Sequence, residues 1–173
     1  MTIQKREIFN QVINFFWSIL CIAPIFWFWF DEGINNIYFY LFLGVALLIG
    51  ALPPKILDAL TLSPYKNFYE RLGVKFIRKF VQNGDVINSI DNAGGNVFTK
   101  RKGQLKTYLK TIAMYERYHW ICLTFFLLTT LYCFVSGHIK FGILILIANI
   151  LYNFCPILLQ QYNMIRLKKL LND

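Results

Sequence analysis

FGILILIANILYNFCPILLQQYN, residues 141–163, is apolar enough and long enough to cross a bilayer, yet it carries amides at Asn149, Asn153, Gln160 and Asn163. At about 100° per residue these four positions, with Pro156 among them, fall within a sector of roughly 80° on one helix face. Amides in hydrocarbon require hydrogen-bonding partners, so the stripe implies a polar surface opposite it. The residues of matching character are Glu116 and His119, at the start of the preceding apolar segment.

Composition agrees with a membrane protein. Of 173 residues 57% are apolar and 18% aromatic, and only 16% are charged, which excludes an ordinary soluble domain. The expected fold class is all-α: a polytopic membrane protein forming a single integral domain with four transmembrane helices and a cytoplasmic amphipathic helical loop. The spans are placed at about residues 11–30, 36–53, 119–136 and 141–160, with the amphipathic segment over 63–118. The second and third spans are short unless flanking residues are counted. The first is too long for the apolar region of a cleaved signal, and no small-x-small site follows it.

Seventeen of the eighteen Lys and Arg fall before the first span, between Lys55 and Arg117, or after the last span; Lys140 alone falls on the other side. By the positive-inside rule both termini and the central loop are expected to be cytoplasmic, in a multi-pass protein of the cell membrane. The net charge of +9 points to anionic lipid headgroups or phosphate-bearing substrates as partners. No nucleic-acid motif is visible. The four cysteines, Cys21, Cys122, Cys133 and Cys155, have no CxxC or metal spacing and read as packing residues.

Within the central loop, Ser63–Val81 reads as a basic amphipathic helix lying in the headgroup plane. Tyr69, Leu72, Phe76, Ile77 and Phe80 form one face, and Arg71, Lys75, Arg78 and Lys79 the other. Gln82–Asp91 and the Gly94–Gly95 turn are breakers, and Thr99–Gly103 is read as a basic loop. A second amphipathic helix starts at Gln104 with Leu105, Leu109 and Ile112 as its stripe. Continued, that stripe reaches Glu116 and His119.

Spans three and four are joined by a tight turn at Ser136–Lys140 and so must pack together. Glu116 and His119 at i, i+3 share a helix face, from which the carboxylate is expected to orient the imidazole as a general base. The facing amides would position a carbonyl or stabilise an oxyanion. Three alternatives stand beside this: an interfacial anchor around Trp120, amides acting as helix glue in a scaffold or lipid-binding subunit, and a metalloenzyme with Glu116 and His119 as ligands. Asn and Gln are poor zinc or iron ligands, so no metal is expected. Familiar hydrolase, P-loop, zinc-protease and dinucleotide signatures are absent.

Two segments resemble a small bacterial membrane family. Tyr115-Glu116-Arg117-Tyr118-His119-Trp120 is similar to its Glu-x-x-His-Trp element. Asn153 through Gln160-Gln161-Tyr162-Asn163 to Arg166 is similar to its Asn-x8-Tyr-Asn-x-x-Arg ending. Phe68-Tyr69-Glu70-Arg71-Leu72-Gly73 is a weaker third similarity. The family is the glycosyl-4,4'-diaponeurosporenoate acyltransferases, which esterify a sugar hydroxyl of a carotenoid glycoside; the likeness covers about residues 68–167. This chain has Gln161 and Met164 where the family pattern carries Arg. The resemblance implies acyl transfer from a thioester donor, with no cofactor beyond that co-substrate, to a hydroxyl or amine of a lipid-like acceptor. It implies His119 and Glu116 as the catalytic pair. Asn149, Asn153, Gln160, Gln161, Tyr162, Asn163, Arg166 and Glu70 would bind substrate.

Overall fold

The computed structural model describes residues 3–33, 36–78 and 98–172; of residues 3–10, 13–14, 98–102 and 172 it describes the backbone alone. Every regular element among the described residues is helical. They are α1 (Ile3–Glu32), α2 (Ile37–Gly50), α3 (Pro54–Ala59), α4 (Lys66–Arg71), α5 (Val74–Ile77), α6 (Phe98–Val135), α7 (Ile139–Asn149), a π-helical turn (Ile150–Phe154) and α8 (Cys155–Asn172).

Three of these helices are long and apolar enough to cross a membrane: Phe15–Glu32, Gly103–Val135 and the continuous Ile139–Leu171. Four spans were expected. The second apolar segment forms the 14-residue α2, about 21 Å at 1.5 Å per residue, short of a hydrocarbon core of about 30 Å. It nevertheless runs antiparallel along α6. Asn36 Nδ2 donates to the Tyr132 hydroxyl at 3.0 Å at one end, and Arg117 Nη1 donates to the Gly50 carbonyl at 2.8 Å at the other. The guanidinium satisfies one of the carbonyls a helix C-terminus leaves unpaired. Gly50 allows this approach, because a Cβ there would collide with the Ile121 side chain.

The main apolar core joins Cys21, Ile25, Phe28 and Trp29 of α1, Phe126 and Cys133 of α6, and Ile145 and Ala148 of α7. Trp29 stacks on Tyr132 with centroids 5.6 Å apart and donates to the Thr129 hydroxyl. At the same end Glu32 meets His138 in the α6–α7 turn at 2.7 Å. Outward, Phe15, Phe16, Ile19, Trp27, Leu47 and Leu48 remain exposed, as residues bathed in lipid would. All four cysteines are free.

The single surface helix expected over Ser63–Val81 is instead two short helices. Gly73 takes a left-handed conformation (φ +78°) at the junction, and the amides of Leu72 and Gly73 close back onto Phe68 and Glu70. The pair is docked onto α8. Tyr69 and Val74 are buried against Leu158, Leu159 and Tyr162 of α8, while Leu72 and Phe76 stay exposed. Residues 79–81, Gln82–Asp91 and the Gly94–Gly95 turn lie outside the described residues. Thr99–Gly103, expected as a loop, is already helical: α6 begins at Phe98. Its Lys and Arg are good helix formers, and Gly103 and Thr107 carbonyls accept from Thr107 and Thr111 hydroxyls one turn on.

Candidate active site

The π turn sets the register of the site. Cys155 N–H reaches the Ile150 carbonyl, five residues back, and Pro156 follows with no N–H to give. One extra residue in the turn rotates everything beyond it by about one position relative to a uniform helix. A stripe through Asn149 and Asn153 would continue to Gln160 at regular spacing. Here it continues to Gln161, which is 1% exposed, whereas Gln160 is half-buried and makes no side-chain hydrogen bond among those of the described residues.

The stripe divides into two polar clusters on α6. The first is made of amides from α7 and the π turn. Asn149 Nδ2 donates to the Leu123 main-chain carbonyl at 3.1 Å, Asn153 Nδ2 donates to Asn149 Oδ1 at 2.8 Å, and Asn153 Oδ1 faces His119 Nδ1 at 3.5 Å. The last distance is at the long end of the hydrogen-bond range. The Tyr152 main chain is a second acceptor beside the imidazole, and the rings of Tyr118 and Tyr152 meet it edge-on. Asn153 is completely buried.

The second cluster surrounds Glu116, which is 8% exposed. Its Oε1 accepts from Gln161 Nε2 at 2.8 Å and from Trp120 Nε1 at 3.4 Å. Gln161 is tied further into the loop after α3: Nε2 donates to the Leu60 carbonyl, and Oε1 accepts from the Leu62 amide at 3.1 Å. The Tyr69 hydroxyl lies 2.9 Å from that same Oε1 and accepts from the Ser63 amide. Every polar atom of the Gln161 amide is therefore committed, and the donor and acceptor ends are fixed by main-chain partners.

This corrects the expected pairing of Glu116 with His119. The two share a side of α6, but no hydrogen bond or ion pair joins them among the described residues. The carboxylate turns to Gln161 and Trp120, the imidazole to Asn153. The amide-to-α6 contacts of Asn149, Asn153 and Gln161 are direct. No group of three or more His, Cys, Asp or Glu able to hold a metal occurs among the described residues.

The remaining candidates sit nearer the charged end of α8. Tyr162 is buried and its hydroxyl donates to Glu70 Oε1 at 3.2 Å. Glu70 also pairs with Lys75 at 3.0 Å and Lys66 at 3.4 Å, and Lys75 above all holds its carboxyl below the usual range. Glu70 thus clamps α4 and α5 to α8 and does not reach His119. Arg166 lies over the Tyr162 ring at 5.5 Å. Asn163 is 7% exposed and its Oδ1 is a buried acceptor with no hydrogen-bond partner.

Sequence reasoning missed Tyr69 and Ser63 as polar partners, Trp120 as a donor to Glu116, and the Leu60, Leu62 and Leu123 main chain. Tyr69 sat on the apolar face of the surface helix, and main-chain acceptors leave no mark in a residue pattern. No curated protein and no solved structure matches the chain. A family model described as glycosyl-4,4'-diaponeurosporenoate acyltransferase matches residues 53–173, which takes in both polar clusters and leaves out α1 and α2. By that match, over most of its length, the chain belongs to the glycosyl-4,4'-diaponeurosporenoate acyltransferase family.

Proposed function

We propose that this chain moves an acyl group from a thioester donor to a hydroxyl, or an amine, of a lipid-like acceptor, with His119 as general base. The observation that carries this reading is His119 itself, held from the facing helix by a wholly buried Asn153 inside the family-matched region. In the step proposed, His119 takes the acceptor's proton as its oxygen attacks the thioester carbonyl. The tetrahedral intermediate then collapses, the carbon–sulfur bond breaks, and the proton passes from His119 to the leaving thiolate. Neither an enzyme nucleophile nor a resident cofactor is needed.

The buried, unpaired Oδ1 of Asn163 is suited to accept from the acceptor's polar head, and Gln160 and Arg166 flank it on α8. Arg166, with Arg71, Lys75 and Arg78, would meet phosphate or headgroup charge. The acceptor class extends to a carotenoid glycoside by the family description alone. The seventeen-to-one distribution of Lys and Arg supports a site at the cytoplasmic leaflet of the cell membrane, both termini cytoplasmic, and α2 completing a fourth crossing with its flanking residues.

A second reading is favoured by one observation: the amides meet Glu116 and His119 by direct hydrogen bonds, as helix glue does. Mass spectrometry of lipid co-purifying with the chain, followed by turnover assays of that lipid with acyl thioesters, separates the two. Acylated product that disappears with His119→Ala supports transfer. Bound lipid with no product from any thioester supports a scaffold.

A further inference from the structure

We propose that Asn149 is a positioning residue: acting through Asn153, it decides which nitrogen of His119 carries the proton, leaving Nε2 as the basic nitrogen. The assignment of the tautomer stands on geometry; the use of Nε2 as a base rests on the acyl-transfer reading.

The polarity of the chain of amides is set at its far end. A main-chain carbonyl only accepts, so the group Asn149 turns to Leu123 must be its NH2. Its Oδ1 then faces Asn153 and accepts from Nδ2 at 2.8 Å. Asn153 in turn presents Oδ1 to His119 Nδ1. An acceptor at that position calls for a hydrogen on Nδ1, and a neutral imidazole has only one to give. Reversing any amide would set two acceptors or two donors against each other. Asn149 is 4% exposed and Asn153 fully buried, so water does not relax the constraint. Asn153 reaches the ring from within the π turn, ahead of a proline that cannot continue the ladder. The Tyr152 main chain is a second acceptor beside the ring.

The chain contains two histidines, so a 15N-histidine-labelled sample held in lipid nanodiscs shows two imidazoles, and His138→Gln leaves one. At a pH of about 8.5, above the ordinary imidazole range, the couplings of the two ring nitrogens to the ring carbon protons report the tautomer. The expected result is the Nδ1–H form for His119. Asn149→Leu, or Asn149→Ala should the larger residue impair folding, removes the contact that fixes the Asn153 amide and is expected to bring in a measurable Nε2–H population. Nε2–H in the unmodified chain overturns the proposal. Nδ1–H that persists alone in the folded Asn149 variants overturns the role of Asn149. None of these readouts uses substrate: Nδ1–H without acyl turnover removes only the acyl-transfer reading, and turnover with Nε2–H removes only this inference.

Discussion

The cluster around His119 and the cluster around Glu116 use the same side-chain chemistry, one α6 residue against the amides of the facing helix, and end in different places. Around Glu116 the amide of Gln161 spends both ends on main chain, at Leu60 and Leu62, as well as on the carboxylate. It ties three segments together. Around His119 the amides run from one main-chain carbonyl to one imidazole nitrogen and stop. One cluster closes on the fold; the other ends on a titratable ring. Proximity in sequence, i and i+3, does not make two polar residues a unit when each is claimed by a different partner on the opposing helix.

The largest effect expected is on turnover. His119→Ala should lower it by roughly two to four orders of magnitude if general-base catalysis is the whole contribution, with folded protein recovered at the unmodified yield in detergent. Wild-type turnover from folded His119→Ala would erase the functional side of the comparison. Next comes stability. Gln161→Leu strands Glu116 and leaves the Leu60 carbonyl and Leu62 amide short of a partner, at about 1–3 kcal/mol for each buried group left unsatisfied. A thermal melt should therefore drop clearly, while turnover per folded molecule holds near the unmodified value. A drop in turnover with an unchanged melt would give Gln161 the role assigned to Asn153.

A smaller effect is expected at the surface. Reversing Arg71 and Arg78 to Glu removes cations worth about 1 kcal/mol each near an anionic surface. KM for an anionic donor presented in vesicles should rise with kcat little changed; no change in KM places the donor elsewhere. The smallest effect concerns Glu70, whose carboxyl is held below its ordinary value of 4.5 chiefly by Lys75. A folded-state value below the unfolded one means that its stabilisation is complete above the unfolded value and is lost as pH falls through the folded one. Protease protection of the α4–α5 segment should weaken over that acidic interval, and Glu70→Gln should flatten the dependence. An identical acid profile in the Gln variant would detach Glu70 from the clamp.

Much of the fold could be read from residue pattern. The Ser136–Lys140 turn required α6 and α7 to pack, and the amide stripe as a whole was set opposite Glu116 and His119, with Gln160–Asn163 at the depth of His119, where the structure instead brings Asn153. What the pattern hid has physical reasons. A uniform 100° count has no place for the π turn before Pro156, so it chose Gln160 where the chain buries Gln161. Helical periodicity over Ser63–Val81 did not register that Gly73 ends a helix by turning left-handed. The shared face of Glu116 and His119 was correctly placed, but a face does not say which neighbour a carboxylate will choose. The likeness around residues 68–167 was legible, and the family match extends it to 53–173.

By their hydrogen bonds His119 and Glu116 belong to separate devices, and a double-mutant cycle in turnover probes that separation. His119→Ala, Glu116→Gln and the double variant are to be assayed per folded molecule with one acceptor and one thioester. Independent sites add in free energy, whereas members of one catalytic unit are strongly non-additive. Glu116→Gln is expected to multiply the His119→Ala loss by the same small factor it imposes alone. A double variant no slower than His119→Ala, with Glu116→Gln alone already severe, would restore the carboxylate–imidazole pair and contradict the separation.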